Sequence, residues 1–186
     1  MKHLILSFLF FTLVLISESS AEKFKAGSIN KVYFSEWVQF STELEDGRKV
    51  FQSQVIADDP VTDGEGKKRA LVFAIECRGK ESTAALVLVD SKLEIDAEST
   101  VVEIQADNEK TQQITFHPSA NKKSLIIRDN ATAIKLVQGL YDKANILVKA
   151  GLTSPETIKA EFDIGRIETA VEPIAKACKW QATKSE

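Results

Sequence analysis

Two cysteines constrain this chain more than any other feature. Cys77 closes a strand-like alternation in which Leu71, Phe73 and Ile75 share one side. Cys178 closes a helical stripe, Ile167, Val171 and Ile174, at spacings of four, three and four. One thiol is thus expected on the apolar face of a strand and the other on the apolar face of a helix, with both turned toward one core. A bridge between them would span 178 − 77 = 101 residues and tie a terminal helix to the middle of a sheet. No C-x-x-C spacing exists to suggest redox chemistry, so a structural cross-link is the reading preferred over a reactive or metal-binding thiol pair.

The N-terminus supports the pairing by placing the chain in an oxidising compartment. Lys2 and His3 form a basic start. Leu4 to Ile16 follows as thirteen residues interrupted only by Ser7 and Thr12. Ser17 to Ala21 is small and polar, with Ser19 and Ala21 at the positions signal peptidase reads, so cleavage is expected between Ala21 and Glu22. The apolar run falls short of the ~20 residues that span a bilayer, which makes a retained anchor the second choice. Residues 1–21 are therefore expected to be a signal peptide, residues 22–180 a single β-rich domain, and residues 181–186 a polar tail. The processed chain should be periplasmic or secreted, with no membrane insertion after cleavage.

Charge excludes one partner class. The chain carries 24 basic and 27 acidic residues for a net −3, which gives no basic stripe for nucleic acid.

Pattern along the chain reads as strands first and helices late. Strands are expected at Lys31–Trp37, Val50–Ile56, Leu71–Cys77, Thr83–Val89, Thr100–Ala106, Thr111–Phe116 and Ser124–Arg128, with Asp46-Gly47 a turn and Asp58–Lys68 a loop. Helical periodicity begins at Asn130, capped by Asp129 or Asn130, and runs to Ala144. Strands at Asn145–Val148 and Thr157–Phe162 precede a last helix starting near Gly165, where Pro173 should kink or break the helix. The fold class is α+β: a mainly antiparallel, β-sandwich-like sheet, two helices in the C-terminal half and one disulfide.

The run Leu71-Val-Phe-Ala-Ile-Glu-Cys77-Arg-Gly-Lys-Glu-Ser-Thr-Ala-Ala-Leu86 resembles a strand–Cys–turn–strand unit of small exported bacterial proteins. Leu140 to Lys149, Phe162-Asp-Ile-Gly165 and Ala177-Cys178-Lys-Trp180 extend the likeness. Together they resemble the periplasmic type VI secretion-associated (VasI-like) proteins and the related invasion-associated locus B group, over roughly Leu71 to Trp180. Phe116 stands where that pattern leads one to expect tryptophan. The resemblance implies a periplasmic β-rich domain with an accessory role, and it carries over no catalytic residue.

Candidate chemistry is sparse. His117 is the one histidine after the leader, followed by Pro118 at a strand end, and neither Ser119 nor Ser124 sits in a nucleophile-elbow motif. Asp58, Asp59, Asp63 and Glu65 share a Gly-containing loop and could offer oxygen ligands to calcium. They lack the EF-hand register, however, and Lys67, Lys68 and Arg69 oppose a cation, so a solvated turn is preferred. No metal or organic cofactor is expected. Trp37 and Trp180 are read first as core packing and second as partner-binding anchors. The expected function is non-enzymatic: an accessory or protein-binding domain acting on a periplasmic or envelope protein, with links to secretion or host interaction. An inhibitor of a cell-wall-degrading enzyme and a carboxylate-dependent hydrolase are the alternatives.

Overall fold

The computed structural model describes residues 29–62, 66–88, 95, 97–153 and 156–180. The expected signal peptide at residues 1–21, the acidic loop residues Asp63 and Glu65 and residues 181–186 lie outside them.

Among the described residues twelve strands and two helices follow in chain order. They are β1 (Asn30–Phe34), β2 (Trp37–Glu43), β3 (Lys49–Ile56), β4 (Val61–Thr62), β5 (Lys68–Arg69), β6 (Leu71–Arg78), β7 (Glu81–Leu88), β8 (Thr100–Ala106), β9 (Gln112–Pro118), β10 (Ser124–Ile126), α1 (Asn130–Gly139), β11 (Asn145–Thr153), β12 (Glu156–Asp163) and α2 (Ile167–Ala177). Ten strands form one sheet in the order β1-β2-β3-β6-β7-β10-β9-β8-β11-β12, while β4 and β5 pair separately. Every pairing is antiparallel.

The sheet is two half-sheets joined by a thin seam. β10 meets β9 through only two residue pairs, Leu125–Pro118 and Ile126–His117. On one side lie β1, β2, β3, β6, β7 and β10, and on the other β9, β8, β11 and β12. The halves fold over a common core that takes in Phe73, Leu86 and Leu125 from the first, Ile104, Val148 and Phe162 from the second, and Val137 and Val171 from the helices. Phe73 and Phe162 meet edge to face across it, with centroids 6.2 Å apart. The fold-over brings β12 to the segment after β3, where the Asp58 N–H donates to the Glu161 carbonyl at 2.9 Å. An otherwise free sheet edge is thereby partly closed.

The cross-link is present: Cys77 on β6 and Cys178 at the end of α2 are bonded, with Cα atoms 5.9 Å apart. Cys77 sits with Phe73 and Ile75 on the face that meets α2, as the alternation predicts. Asp129 caps α1, its Oδ2 accepting from the Thr132 N–H at 2.7 Å.

Several boundaries differ from the pattern reading. Lys31–Trp37 is not one strand. It turns at Ser35, whose φ is +52°, so that Phe34 pairs Trp37 in a tight hairpin and the chain continues as β2. The Asp58–Lys68 loop contains β4 and its pairing with β5. α1 ends at Gly139, short of Ala144. Pro173 neither breaks nor ends α2, which runs on to Ala177. A proline leaves the carbonyl four residues earlier without its helical donor. Here that carbonyl, on Thr169, accepts from Gln39 Nε2 at 3.3 Å, and the adjoining Ala170 carbonyl accepts from Gln39 Nε2 at 2.7 Å and from Ser53 Oγ. The sheet beneath the helix supplies what the proline removes.

Candidate functional site

The sequence-predicted candidates scatter. Trp37 lies on the inner face at 0% exposure, and its indole N–H has no acceptor among the described residues. Trp180 is half-buried beside the disulfide, donating from Nε1 to Ser82 Oγ at 2.6 Å. Ser82 is the residue directly across from Cys77, and its backbone N–H donates to Asn130 Oδ1 at 2.7 Å. Cys77, Cys178, Ser82, Trp180 and Asn130 therefore form one knot joining β6, β7, α1 and the end of α2. Its polar groups are mutually committed, which suits a structural joint.

His117 is half-buried on β9, its Nδ1 3.2 Å from the Glu98 carbonyl, so that nitrogen donates. The hydroxyl of Ser119 donates to Asn121 Oδ1 at 2.7 Å and accepts from the Ser124 N–H at 3.2 Å. It is spent on holding the turn between β9 and β10. Asp58 and Asp59 are exposed, and Asp63 and Glu65 fall outside the described residues. Among the described residues no three His, Cys, Asp or Glu side chains gather as metal ligands would.

A different site emerges on the outer face of the first half-sheet. Both helices and the second half-sheet pack on the inner face, formed by Ser53, Val55, Phe73, Ile75, Cys77 and Leu86. Side chains on the opposite side align in rows set by register. Phe40, Gln52, Glu76 and Thr83 lie across β2, β3, β6 and β7 in one row. The next row runs Val38, Gln54, Ala74, Ala85 and Ile126. Opposed residues of this kind have Cβ atoms roughly 5 Å apart, so each row is a continuous surface. The small Ala74–Ala85 pair makes its centre low, between the larger Val38 and Ile126.

The polar residues of that face are its distinguishing chemistry. Gln52 is 1% exposed, and neither its Nε2 nor its Oε1 has a hydrogen-bond partner. Directly opposite, Glu76 is 2% exposed and accepts from Arg78 Nε at 3.0 Å through Oε1, while Oε2 is unpartnered. Burial outweighs the guanidinium beside it and pushes the Glu76 carboxyl up to about 8, and the same burial lowers Arg78. At neutral pH the carboxyl thus holds a proton and can donate. Glu76 is the sole acidic side chain among the buried described residues. Among the described residues no second buried carboxylate stands beside it to share general acid–base work.

Sequence reasoning passed over this site because Gln52 and Gln54 alternate with Phe51, Ser53 and Val55 as residues of a solvent face would. The usable signal was the neighbouring strand: β6 reads Leu71-Val-Phe-Ala-Ile-Glu76-Cys77, apolar on both sides except at Glu76. That pattern marks a strand buried on two faces. Compared with known proteins, the chain matches no family model, no curated protein and no solved structure.

Proposed function

We propose that the protein is an exported, non-enzymatic binding domain of the bacterial envelope, whose outer half-sheet face engages a protein partner in an accessory role. One observation carries this reading. The outer face of the first half-sheet is apolar, with an unpaired amide and an unpaired carboxyl oxygen at its centre. The corresponding face of the second half-sheet carries Glu103, Gln105, Lys149, Lys159 and Glu161, as a solvated sheet does. A buried polar group without a partner costs about 1–3 kcal/mol. Gln52 and Glu76 are therefore better explained as contacts for another molecule than as internal supports. Large apolar patches with a few directed polar groups are the usual form of a protein interface.

Export to the periplasm is part of the same reading. It is supported by the leader pattern and by the disulfide, which an oxidising compartment sustains. Among the described residues no helix is long and apolar enough to cross a membrane.

The test places a photo-cross-linker at Val87 on the apolar face, or at Thr115 on the solvated face, of protein exported with its own leader. The expected result is a discrete envelope-protein adduct from position 87 that Ala74→Arg abolishes, and none from position 115. Equal labelling from both positions overturns the proposal.

A further inference from the structure

The ten-stranded sheet ends at β1 and at β12, and the two edges differ. β12 is partly closed by the Asp58 N–H, which donates to the Glu161 carbonyl. β1 pairs with β2 on one side and with no other strand. Its hairpin loop is the two residues Ser35 and Glu36, so Phe34–Trp37 is a hydrogen-bonded pair, and such pairs recur at Val32–Gln39 and Asn30–Ser41. The backbone N–H and C=O groups of Lys31 and Tyr33 therefore point away from β2, along the open edge.

An edge of this kind is a template for another strand, and proteins blunt it with charge, proline or a bulge. β1 has no proline, and its register with β2 runs without a shift. Its one charge is drawn over aromatic rings, the Lys31 Nζ lying 4.8 Å from the Tyr33 centroid and 5.3 Å from that of Phe40. The strand also shows apolar surface. Val32 is 56% exposed and Tyr33 55%, two of the three exposed large hydrophobic side chains among the described residues. Gln39, directly across from Val32, reaches the carbonyls of α2, while Val32 itself stays open.

We propose that β1 is a dimer edge, where a second copy of this chain adds its own β1 antiparallel about a two-fold axis at Val32. The pattern of the strand singles out self-pairing. With the axis at Val32, Lys31 of each copy stands opposite Tyr33 of the other, so each ammonium faces a ring that attracts it. Val32 meets its counterpart on the other side of the sheet, and the outward N–H and C=O groups of both copies are satisfied. An axis at Lys31 would set like charges opposite one another. An axis at Tyr33 would need Ser35, which has already turned away at a φ of +52°. The pairing consumes β1, and β12 is already partly closed, so assembly stops at two copies. Five residues a side fall well short of the ~20–30 that a standard interface uses, so the dimer is a reversible one. It does not depend on the partner reading of the outer face.

The test is the rate of disulfide cross-linking between copies, in protein exported with its own leader and purified with Cys77 and Cys178 still bonded. Val32 faces its counterpart as a non-hydrogen-bonded pair, with Cα atoms about 4.5 Å apart, inside the roughly 4.4–6.8 Å that a disulfide accepts. Val101, 55% exposed on the other half-sheet, is the control. Under mild oxidant Val32→Cys should dimerise at least ten-fold faster than Val101→Cys, and equal rates overturn the proposal. Adding Tyr33→Pro to Val32→Cys removes an outward N–H but none that β1 gives to β2, and should bring the rate down to the control's. A charge swap in the same background tests the register without touching the backbone. Tyr33→Lys should slow the cross-linking, and adding Lys31→Glu should restore it. Persistence of the fast rate in either single variant, or no recovery with the swap complete, overturns the pairing.

Discussion

The two half-sheets solve the same problem in opposite ways. β8 in the second half alternates between buried and open residues, Thr100, Val102, Ile104 and Ala106 facing the core while Val101 stands 55% exposed. β6 in the first half is buried from Leu71 to Cys77 without interruption. One half is a wall between core and solvent, and the other is a middle layer with apolar contacts on both sides. The first arrangement is self-sufficient. The second leaves one side in need of cover, and function is sought there because a fold needs only one buried face per sheet.

The largest effect should come from the joint between the middle layer and α2. Replacing both Cys77 and Cys178 by Ala removes a cross-link closing 101 residues, worth at most roughly 4.7 kcal/mol in the chain-entropy model. Denaturant unfolding should show most of that loss. Hydrogen exchange should quicken first in α2 and last in β8, β11 and β12. Uniform acceleration would mean that the halves do not differ in their dependence on the bridge.

A charge on each outer face tests the contrast directly. Ala74→Asp should destabilise the full chain by about 3 kcal/mol or more, whereas Val101→Asp should stay within about 0.5 kcal/mol. Similar costs measured by urea unfolding would erase the distinction between layer and wall.

Acidity supplies a third comparison. The Glu76 carboxyl binds its proton more tightly in the folded chain, near 8, than in the unfolded one, near 4.5. Its contribution is therefore fully present below about pH 4.5 and is lost as pH rises toward 8. The groups facing it across the strands, Gln52 and Thr83, do not titrate, and Arg78 beside it stays charged throughout. Stability should fall by a few kcal/mol, in order of magnitude, between those limits, and Glu76→Gln should flatten the slope. A slope unchanged in the variant would place the titration elsewhere.

The smallest effect sharpens the argument most. Gln52→Leu removes an unpaired buried amide and should leave the full chain unchanged or about 1 kcal/mol more stable. A loss of more than that would show that Gln52 already serves the fold.

Legibility in the sequence followed the same divide. The second half-sheet and the cysteine faces were readable because each keeps one clean period, two for β8 and close to 3.6 for Ile167 to Cys178. The first hairpin was not, because the turn at Ser35-Glu36 carries no Gly, Pro or Asn, and Ser35 takes its left-handed conformation without a local signal. The continuity of α2 past Pro173 was equally hidden, since Gln39 and Ser53 lie more than a hundred residues away along the chain. Gln52 and Glu76 were hidden by resemblance to an ordinary solvent face, and only two-sided burial separates the cases.

The bridge also divides the chain topologically. Residues 78–177 lie inside a covalent ring that contains β7 to β12 and both helices, while β1 to β5 and nearly all of β6 lie outside it. One peptide-bond cut anywhere inside the ring opens it but leaves every piece attached. A cut in the segment between β3 and β6 divides the molecule in two, held only by strand pairing and packing. The ring makes a single cleavage within it survivable and leaves the vulnerability to the segments before Cys77, among them the turn at Ser35 and the stretch from Ala57 to Ala70.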